Sequence, residues 1–276
     1  MRRPGRRRRP ATGAAVGRVP ALIVIPAACA LALLVLPLIG LLARAPWTDL
    51  TERLTSDSVT TALRLSLTTA TIAMLACLVL GVPLAWLLAR SNFRGRRLVR
   101  ALVTVPLVLP PVVGGIALLA TFGRTGVVGE PLFDVFGWQV TFTTTAVVVA
   151  QTFVALPFLV LAVEGAVRSA DARYDEVAAS LGASRWWTFL RVTLPLAGPG
   201  IASGAVLAWA RALGEFGATI TFAGSLEGET RTMPLEVYKT YQTDAPGAIV
   251  VSLVLLVVSI GVLAAMRERW LGGVAA

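Results

Sequence analysis

Two residues of opposite charge stand inside one of the most apolar stretches of this sequence. Arg211 and Glu215 are spaced i,i+4, and on a helix this spacing lets the two side chains meet on one face. Burying either charge alone would cost several kcal/mol, so ionisable residues in such a segment are candidates for function. Two roles stay open for the pair: a structural ion pair, or an arginine that serves as a transient partner for a passing anion.

The residue types that usually carry catalysis or bind metals are sparse. The chain has no histidine, which removes the commonest general base and metal ligand. Cys29 and Cys77 lie in apolar stretches without the spacing of a disulfide framework or a metal site, and we interpret both as small buried apolar side chains. A GxxxxGK[ST] loop is also missing, so any ATP hydrolysis must come from another polypeptide. We therefore predict no catalytic residue, no metal site and no cofactor bound by this chain.

The segments that carry these residues are long enough to cross a lipid bilayer. Apolar residues make up 56% of the chain and charged residues 14%, with a mean hydropathy of +0.78. The apolar residues come in blocks of about 20, the length that spans a hydrocarbon core of roughly 30 Å. Uninterrupted blocks favour helices over the alternating strands of a barrel. Six blocks are predicted, of which only the fifth carries charge, at about 21–42, 66–89, 101–122, 143–163, 195–218 and 248–266.

Positive charge is concentrated at the ends of these blocks. The formal net charge of +10 would suit a nucleic-acid partner, but arginines at block ends are typical of the cytoplasmic loops of a membrane protein. We therefore exclude nucleic acid and expect the lipid bilayer as the partner. Both tails, the second-to-third connection and the fourth-to-fifth connection hold most of the basic residues. This bias predicts that both termini are cytoplasmic.

An arginine-rich stretch precedes the first block. A basic head before an apolar run is also typical of a secretory signal, but the apolar core of a signal is usually about 7–15 residues long, and this one is longer. We therefore predict a retained first helix behind a basic cytoplasmic tail at 1–20, where the arginines attract anionic lipid. Residues 21–270 are predicted to form one transmembrane domain that includes a cytoplasmic loop at 168–195.

Proline and glycine punctuate the third block. Each proline removes a backbone donor and kinks a helix, so the freed carbonyl groups must find partners in protein or water. Such breaks line pathways in transporters, but they also serve packing, and the sequence does not decide between the two. The helix-break candidates are Pro106, Pro110, Pro111 and Gly114.

The connection at 171–195 is too polar to cross the membrane and too rich in helix-forming residues for a plain loop. Gly182 divides it, because glycine readily adopts the positive φ found at helix ends, and Ser184 is a possible cap for a second helix. We therefore predict a helix–turn–helix hairpin. Its turn is expected to expose small residues to another protein, namely Ala178, Ala179 and Ser180.

The same connection resembles the EAA loop of ABC importer permeases, which reads Glu-Ala-Ala, three residues, Gly, nine residues, an aliphatic residue, any residue and Leu-Pro. Here Glu176, Gly182 and Pro195 keep that spacing, and Val177 replaces the first Ala. In the family this loop is the coupling helix that docks into a cleft of the ATPase subunit. The residues that the resemblance assigns to ATPase docking are Glu176, Ala178, Ala179, Ser180, Leu181, Gly182, Arg185, Leu194 and Pro195.

Two further stretches sharpen the resemblance. RALGEFGATITFAG at 211–224 and PLVLPPVVGG at 106–115 are similar to molybdate permeases and, more loosely, to sulfate permeases. The family implies an all-α integral membrane fold, that of a type I ABC importer permease, with about six transmembrane helices and a cytoplasmic coupling-helix hairpin. It also implies a homodimer of permeases, two ATP-binding cassette subunits and an extracytoplasmic molybdate-binding protein, in the plasma membrane of a bacterium or archaeon.

Three alternatives stay open. A sulfate or thiosulfate permease would differ only in the anion, because all of these substrates are tetrahedral dianions. A membrane enzyme is disfavoured by the lack of histidine and of clustered carboxylates in the blocks. A channel or secondary transporter would leave the hairpin unexplained, and the blocks lack the paired acidic residues used in proton coupling.

Overall fold

The computed structural model describes residues 21–171 and 173–271, and every regular element in these ranges is helical. The α-helices are α1 (Ala21–Ala43), α2 (Leu50–Leu54), α3 (Asp57–Arg90), α4 (Arg96–Val108), α5 (Pro111–Phe122), α6 (Gly129–Phe136), α7 (Thr144–Ser169), α8 (Arg173–Ser180), α9 (Arg185–Thr188), α10 (Leu194–Leu196), α11 (Gly198–Leu213), α12 (Gly217–Phe222), α13 (Met233–Thr243) and α14 (Ala245–Leu271). A 3-10 helix covers Trp47–Asp49, and a π-helix covers Phe189–Thr193.

Helix α1 belongs to the first of two compact units, residues 1–45, and is described by itself. Its 23 residues carry no charge, and its large apolar side chains are exposed, as suits a helix surrounded by lipid. Cys29 is exposed as well, so the interpretation of this cysteine as a buried side chain is wrong, whereas Cys77 is buried. The predicted basic tail at 1–20 lies outside the described residues.

The membrane spans fall into straight and bent ones. Four helices are long and apolar enough to cross a membrane: Leu22–Ala43, Asp57–Arg90, Thr144–Ser169 and Ala245–Val262. Two helix pairs qualify together, namely Arg96–Val108 with Pro111–Phe122, bent by 118°, and Arg185–Leu196 with Gly198–Leu213, bent by 74°. Counting each pair once gives up to six spans in the described part of the chain, which agrees with the six predicted blocks.

The core of the second unit, residues 46–276, forms where α3, α7 and α11 pack together. Small buried side chains such as Ala155 and Ala208 let these helices approach closely. Gly200 and Gly204 continue this pattern on α11, because a Cβ built on Gly200 would overlap with Cβ of Ala166 on α7. The absence of side chains at these glycines therefore sets the distance between α7 and α11.

The third predicted block is two helices that meet at a break between Val108 and Pro111. Pro110 has the backbone of an extended residue (φ −54°, ψ 134°), and Pro111 begins α5, where its missing N–H has no helical partner to lose. Pro106 lies inside α4 and Gly114 inside α5. Of the break candidates, only the Pro110–Pro111 pair stands at the break itself.

Helices α4 and α5 lie against successive parts of α7. Near the end of α7, Glu164 pairs with Arg100 of α4. Near its start, Val147 shares an apolar cluster with Leu118 of α5. The contacts thus advance along α7 as the chain passes from α4 to α5, which is how a single span with a bend behaves.

Polar contacts join α2 and α3 to the C-terminal part of the second unit. Oγ of Ser66 in α3 accepts a hydrogen bond of 2.7 Å from the backbone N–H of Met233. Arg53 of α2 pairs with Asp244, which stands between α13 and α14. The guanidinium of Arg53, followed by the backbone N–H of Gly247, holds the pKa of the Asp244 carboxyl below its usual value.

Candidate functional site

The connection that resembles the EAA loop is a hairpin of two short helices, α8 and α9, as the sequence predicts. Gly182 stands at the turn with φ +83°, a left-handed conformation that glycine adopts without strain. Ser184 begins α9, because its Oγ accepts a hydrogen bond of 3.2 Å from the backbone N–H of Trp187. A Cβ built on Gly182 meets no atom within 4 Å. Backbone conformation, and not space, therefore restricts this position.

Most residues of the hairpin that the resemblance assigns to docking lie on its exposed face. Around the turn, Ala179, Ser180 and Gly182 are exposed, and the apolar side chain of Leu181 is 83% exposed. Ala178 is buried, so the prediction that it is presented to another protein is wrong. Of the assigned residues, the exposed ones are Glu176, Ala179, Ser180, Leu181, Gly182, Arg185 and Pro195, and Leu194 is half-buried.

Asp175 fastens the hairpin to the helix bundle. Its Oδ2 lies 3.0 Å from Nε of Arg90 at the end of α3, and its Oδ1 accepts a hydrogen bond of 3.2 Å from Oγ1 of Thr193. Arg90 also donates to the backbone carbonyl of Ala170 at 2.9 Å. Because Ala178 follows Asp175 by three residues, it lies on the same inward face of α8, which explains its burial. Sequence reasoning missed Asp175 and Arg90, since no local spacing connects them.

The hairpin continues without interruption toward α11. Helix α9 runs directly into the π-helix and then into α10, before the chain bends by 74° into α11. Phe189 in the π-helix is buried, and the centroid of its ring lies 5.3 Å from that of Trp86 and 5.6 Å from that of Trp186. The fifth bent span therefore begins at Arg185, earlier than the predicted start at 195, and includes α9 of the hairpin.

The two charges of the fifth block form an ion pair. Nη1 of Arg211 lies 2.6 Å from Oε2 of Glu215, whose side chain is only 1% exposed. The prediction that one helix carries both residues is wrong, because α11 ends at Leu213 and Gly214 follows it before α12 begins. Oε1 of Glu215 accepts a hydrogen bond of 2.7 Å from the backbone N–H of Ala218 in α12. One carboxylate thus links two helices, which favours the structural role.

Sequence reasoning missed a second buried carboxylate, Glu164. Helix α7 runs on to Ser169, beyond the predicted end at 163, and so includes this residue. Oε1 of Glu164 accepts a hydrogen bond of 3.1 Å from Nε of Arg168 and also pairs with Arg100. The fourth span thus runs past the predicted end of its block and carries charge in that extension. The i,i+4 spacing of Glu164 and Arg168 was the available signal.

The described charges are arranged for holding helices together. In residues 21–171 and 173–271, no group of three or more His, Cys, Asp or Glu side chains is placed to hold a metal ion. The buried carboxylates of the described residues, Glu164, Glu215 and Glu236, each lie within ion-pair distance of an arginine. The site therefore consists of an exposed hairpin and the ionic links that connect it and its neighbours to the bundle.

Known proteins resemble this chain over most of its length. The family model described as "Binding-protein-dependent transport system inner membrane component" matches residues 81–271. The molybdenum transport system permease protein ModB of Mycobacterium bovis is 50% identical over 244 residues, which cover 87% of this chain and 91% of that protein. ModB of Escherichia coli is 41% identical over 210 residues, which cover 76% and 92%. The sulfate transport system permease protein CysT of Escherichia coli is 36% identical over 234 residues, which cover 83% of each.

Solved structures share the fold. A chain of a bacterial ABC transporter that imports the acidic polysaccharide alginate superposes with a TM-score of 0.69 at 20% identity, covering 90% of this chain and 94% of that one. A chain of the MetNI methionine ABC transporter superposes with a TM-score of 0.62 at 19% identity, covering 79% and 99%. The hairpin, the bent spans and these matches together lead to one conclusion: the chain belongs to the family of binding-protein-dependent transport system inner membrane components, as a multi-pass membrane subunit of an ABC transporter and not an enzyme.

Proposed function

We propose that this chain is the membrane-spanning permease subunit of an ATP-driven importer of molybdate, with tungstate as a chemically similar substrate. The observation that carries the proposal is the 50% identity, over 87% of the chain, to a protein named as a molybdenum transport permease. The stretch at 211–224, which contains the Arg211–Glu215 pair, supports the same class of anion through its resemblance to molybdate permeases.

The proposed assembly contains two copies of this chain, two ATP-binding cassette subunits and an extracytoplasmic molybdate-binding protein. The hairpin supports ATPase docking, because its tip combines the small residues Ala179 and Ser180 with the exposed apolar side chain of Leu181. Such a tip is narrow and apolar, and it suits a cleft on a partner, since well-packed interface cores are apolar and closely fitted. This chain binds no cofactor in the proposed assembly, and ATP is hydrolysed by the separate subunit.

In this assembly the hairpin and both termini face the cytoplasm, and the protein lies in the plasma membrane of a bacterium or archaeon. The support is the distribution of arginine, because basic residues favour the cytoplasmic side of a membrane protein. The connection between α3 and α4, which approaches the hairpin through Arg90, is rich in this residue. The connection itself carries Arg94, and the first turns of α4 add Arg96, Arg97 and Arg100.

Movement of the hairpin would reach the bundle by two routes. The first is the ion pair of Asp175 with Arg90, which leads into α3. The second is the uninterrupted helix that leads from α9 through α10 toward α11. At the far end of α11, Glu215 ties this helix to α12, and α12 packs closely on the start of α5, where Gly217 lies against Pro111. An ATP-driven displacement of the hairpin is thereby connected to both bent spans.

Uptake of labelled molybdate into vesicles tests the proposal. The complete complex is reconstituted with its ATPase subunits, with ATP inside the vesicles and the binding protein outside. We expect uptake that depends on ATP and that stops when the ATPase carries a substitution in its Walker lysine, which is the matched control. A complex that assembles and hydrolyses ATP but accumulates no molybdate would contradict the proposal.

A sulfate importer is the second candidate, because a sulfate permease is 36% identical to this chain. The same vesicles separate the two anions by competition. For a molybdate importer, unlabelled tungstate should abolish the uptake of molybdate, whereas a large excess of sulfate should leave most of it. Equal competition by sulfate, together with uptake of labelled sulfate, would assign the second candidate.

A further inference from the structure

A strongly basic cavity of about 580 Å³ lies at the start of α4. Asn92 and Gly95 line it from the connection between α3 and α4. The remaining polar lining consists of arginines, namely Arg96, Arg97, Arg100 and Arg168. Neither the Arg211–Glu215 pair nor the hairpin tip belongs to this cavity.

The cavity carries more positive charge than the protein neutralises. Glu164 pairs with Arg100 and Arg168. In the part of the chain that the structure describes, no carboxylate lies within ion-pair distance of Arg96 or Arg97. One carboxylate against four guanidinium groups leaves a formal charge of +3 around the cavity. An anion from outside the chain would offset this charge.

Hydrogen-bond donors are also left over. Nη1 of Arg96 donates to Oδ1 of Asn92 at 2.9 Å and Nη2 to the carbonyl of Ala89 at 3.5 Å. Its Nε is buried and has no hydrogen-bond partner within residues 21–171 and 173–271. Helix α4 begins after Gly95, which has φ +89° and offers no side chain to cap the first N–H groups. The N-terminus of this 13-residue helix therefore adds the positive end of a helix dipole to the cavity. A ligand with several acceptor oxygens would satisfy these donors.

We propose that this cavity binds a tetrahedral oxyanion, held chiefly by Arg96 and Arg97. Arginine forks and helix N-termini are the groups that proteins use to bind such anions. The anion has two sources, a free oxyanion from solution or the phosphate of an anionic lipid head group. Leu98 and Leu102 are exposed on α4, so the helix that lines the cavity also offers apolar surface to a lipid chain. The proposal goes beyond transport, because it requires no particular transported anion.

Titration of the purified full-length protein tests the site for a free anion. Sodium molybdate and sodium sulfate are the probes, in a neutral detergent without anionic lipid, and binding is followed by calorimetry and by the thermal unfolding midpoint. The double variant Arg96→Gln, Arg97→Gln should raise the anion concentration at half-saturation by about tenfold or more, because it removes the two arginines without a carboxylate partner. The matched control is Arg94→Gln, which removes an exposed charge from the same connection but outside the cavity, and it should bind like the wild type.

Reconstitution into vesicles distinguishes the two sources. Phosphatidylcholine vesicles contain no anionic head group, and phosphatidylglycerol is added in the second arm. A free-anion site should bind molybdate equally in both arms. A lipid site should retain phosphatidylglycerol in native mass spectrometry of the wild type but not of the double variant, and phosphatidylglycerol should suppress the molybdate titration.

Three results would overturn the proposal. The first is that neither the probes nor the lipid bind the wild type. The second is that the double variant binds as tightly as the wild type. The third is that Arg94→Gln weakens binding as much as the double variant does, which would indicate an effect of surface charge alone. If the double variant unfolds early without anion, Arg97→Gln alone replaces it, because Arg97 is exposed. Binding is measured without uptake, so a failure of molybdate transport would not affect the result.

Discussion

Glu215 is a buried carboxylate with both of its oxygens in use. Oε2 pairs with Arg211, and Oε1 accepts the backbone N–H of Ala218. A buried charge is tolerated when it is paired and its oxygens accept hydrogen bonds, so these two contacts together allow it to remain in an apolar bundle. The side chain of Arg211 is 27% exposed, and the guanidinium therefore stands at the edge of the core.

Neutralising one member of this pair should be worse than neutralising both. Arg211→Met leaves the charge of Glu215 buried and unpaired, which typically costs about 3–5 kcal/mol. Glu215→Gln removes the charge but keeps an oxygen for the N–H of Ala218. The double variant Arg211→Met, Glu215→Gln should therefore recover much of the thermal stability and of the molybdate uptake. Thermal unfolding and vesicle uptake of the three variants measure this.

A stable but inactive double variant would count against the structural role. It would mean that the bundle tolerates the loss of both charges while transport does not. Arg211 would then contact the anion during its passage. Wild-type expression and assembly of the double variant are the control that makes this comparison valid.

The turn of the hairpin depends on the backbone of a single residue. Gly182→Val places a β-branched residue at φ +83°, where strain of about 1–2 kcal/mol is expected. Because a Cβ there meets no other atom of this chain, any defect within the chain must come from a changed turn. We expect the purified variant to fold but to lose co-purification with the ATPase.

Gly182→Asn is the matched control, because asparagine tolerates the left-handed conformation better than other residues with a side chain. It should keep most of the bound ATPase. An intact complex and full transport in Gly182→Val would show that the hairpin turn is not the docking surface.

The contact between α7 and α11 depends on glycine for a different reason, which is space. Gly200→Ala would place a methyl group onto Ala166, so the helices must separate, and overpacking of this kind costs about 1–3 kcal/mol. Gly198→Ala is the control, because a Cβ there meets nothing within 4 Å. We expect a lower thermal unfolding midpoint for Gly200→Ala only. Equal midpoints would mean that the two helices are not held at this distance.

Local chemistry makes much of this element structure predictable from sequence. Apolar length identifies the spans, because a helix in lipid satisfies its own backbone. The break at Pro110 and the turn at Gly182 follow from residues that restrict or permit particular backbone angles. The ion pairs of Arg90 with Asp175 and of Arg100 with Glu164 join residues far apart in the chain, and no spacing rule indicates them. They required the packed structure.

At the scale of the whole molecule, the length of α7 separates the two ends of the second unit. At the start of α7, Oγ1 of Thr144 donates to the backbone carbonyl of Glu229 at 2.9 Å. At the end of α7, Arg168 lines the same cavity as Arg97. A straight helix of 26 residues spans roughly 39 Å, so these two ends lie on opposite sides of a bilayer. The orientation of the protein in the membrane determines whether the Arg168 end or the Thr144 end of α7 faces the cytoplasm.

Thiol labelling measures that orientation. Cys29 and Cys77 are first replaced, and a single cysteine is introduced as Arg94→Cys or as Glu229→Cys, both at exposed positions. In intact cells a membrane-impermeant reagent should label Glu229→Cys and spare Arg94→Cys, and both should react after the membrane is opened. The reverse pattern would place the hairpin outside the cell and exclude an importer whose ATPase is cytoplasmic.

The continuous helical segment that leads from the hairpin toward α11 also constrains the number of residues in this part of the chain. Because α9, the π-helix and α10 follow one another without a coil residue, each residue from Arg185 to Leu196 fixes an angle as well as a distance. One added residue would rotate everything beyond it by about 100° and advance it by about 1.5 Å. The exposed tip at Leu181 and the buried face of α11 would then no longer point in their present directions together. The number of residues between Gly182 and Pro195 thus fixes the rotation of α11 relative to the hairpin tip. Helix geometry imposes this number independently of which side chains occupy the positions.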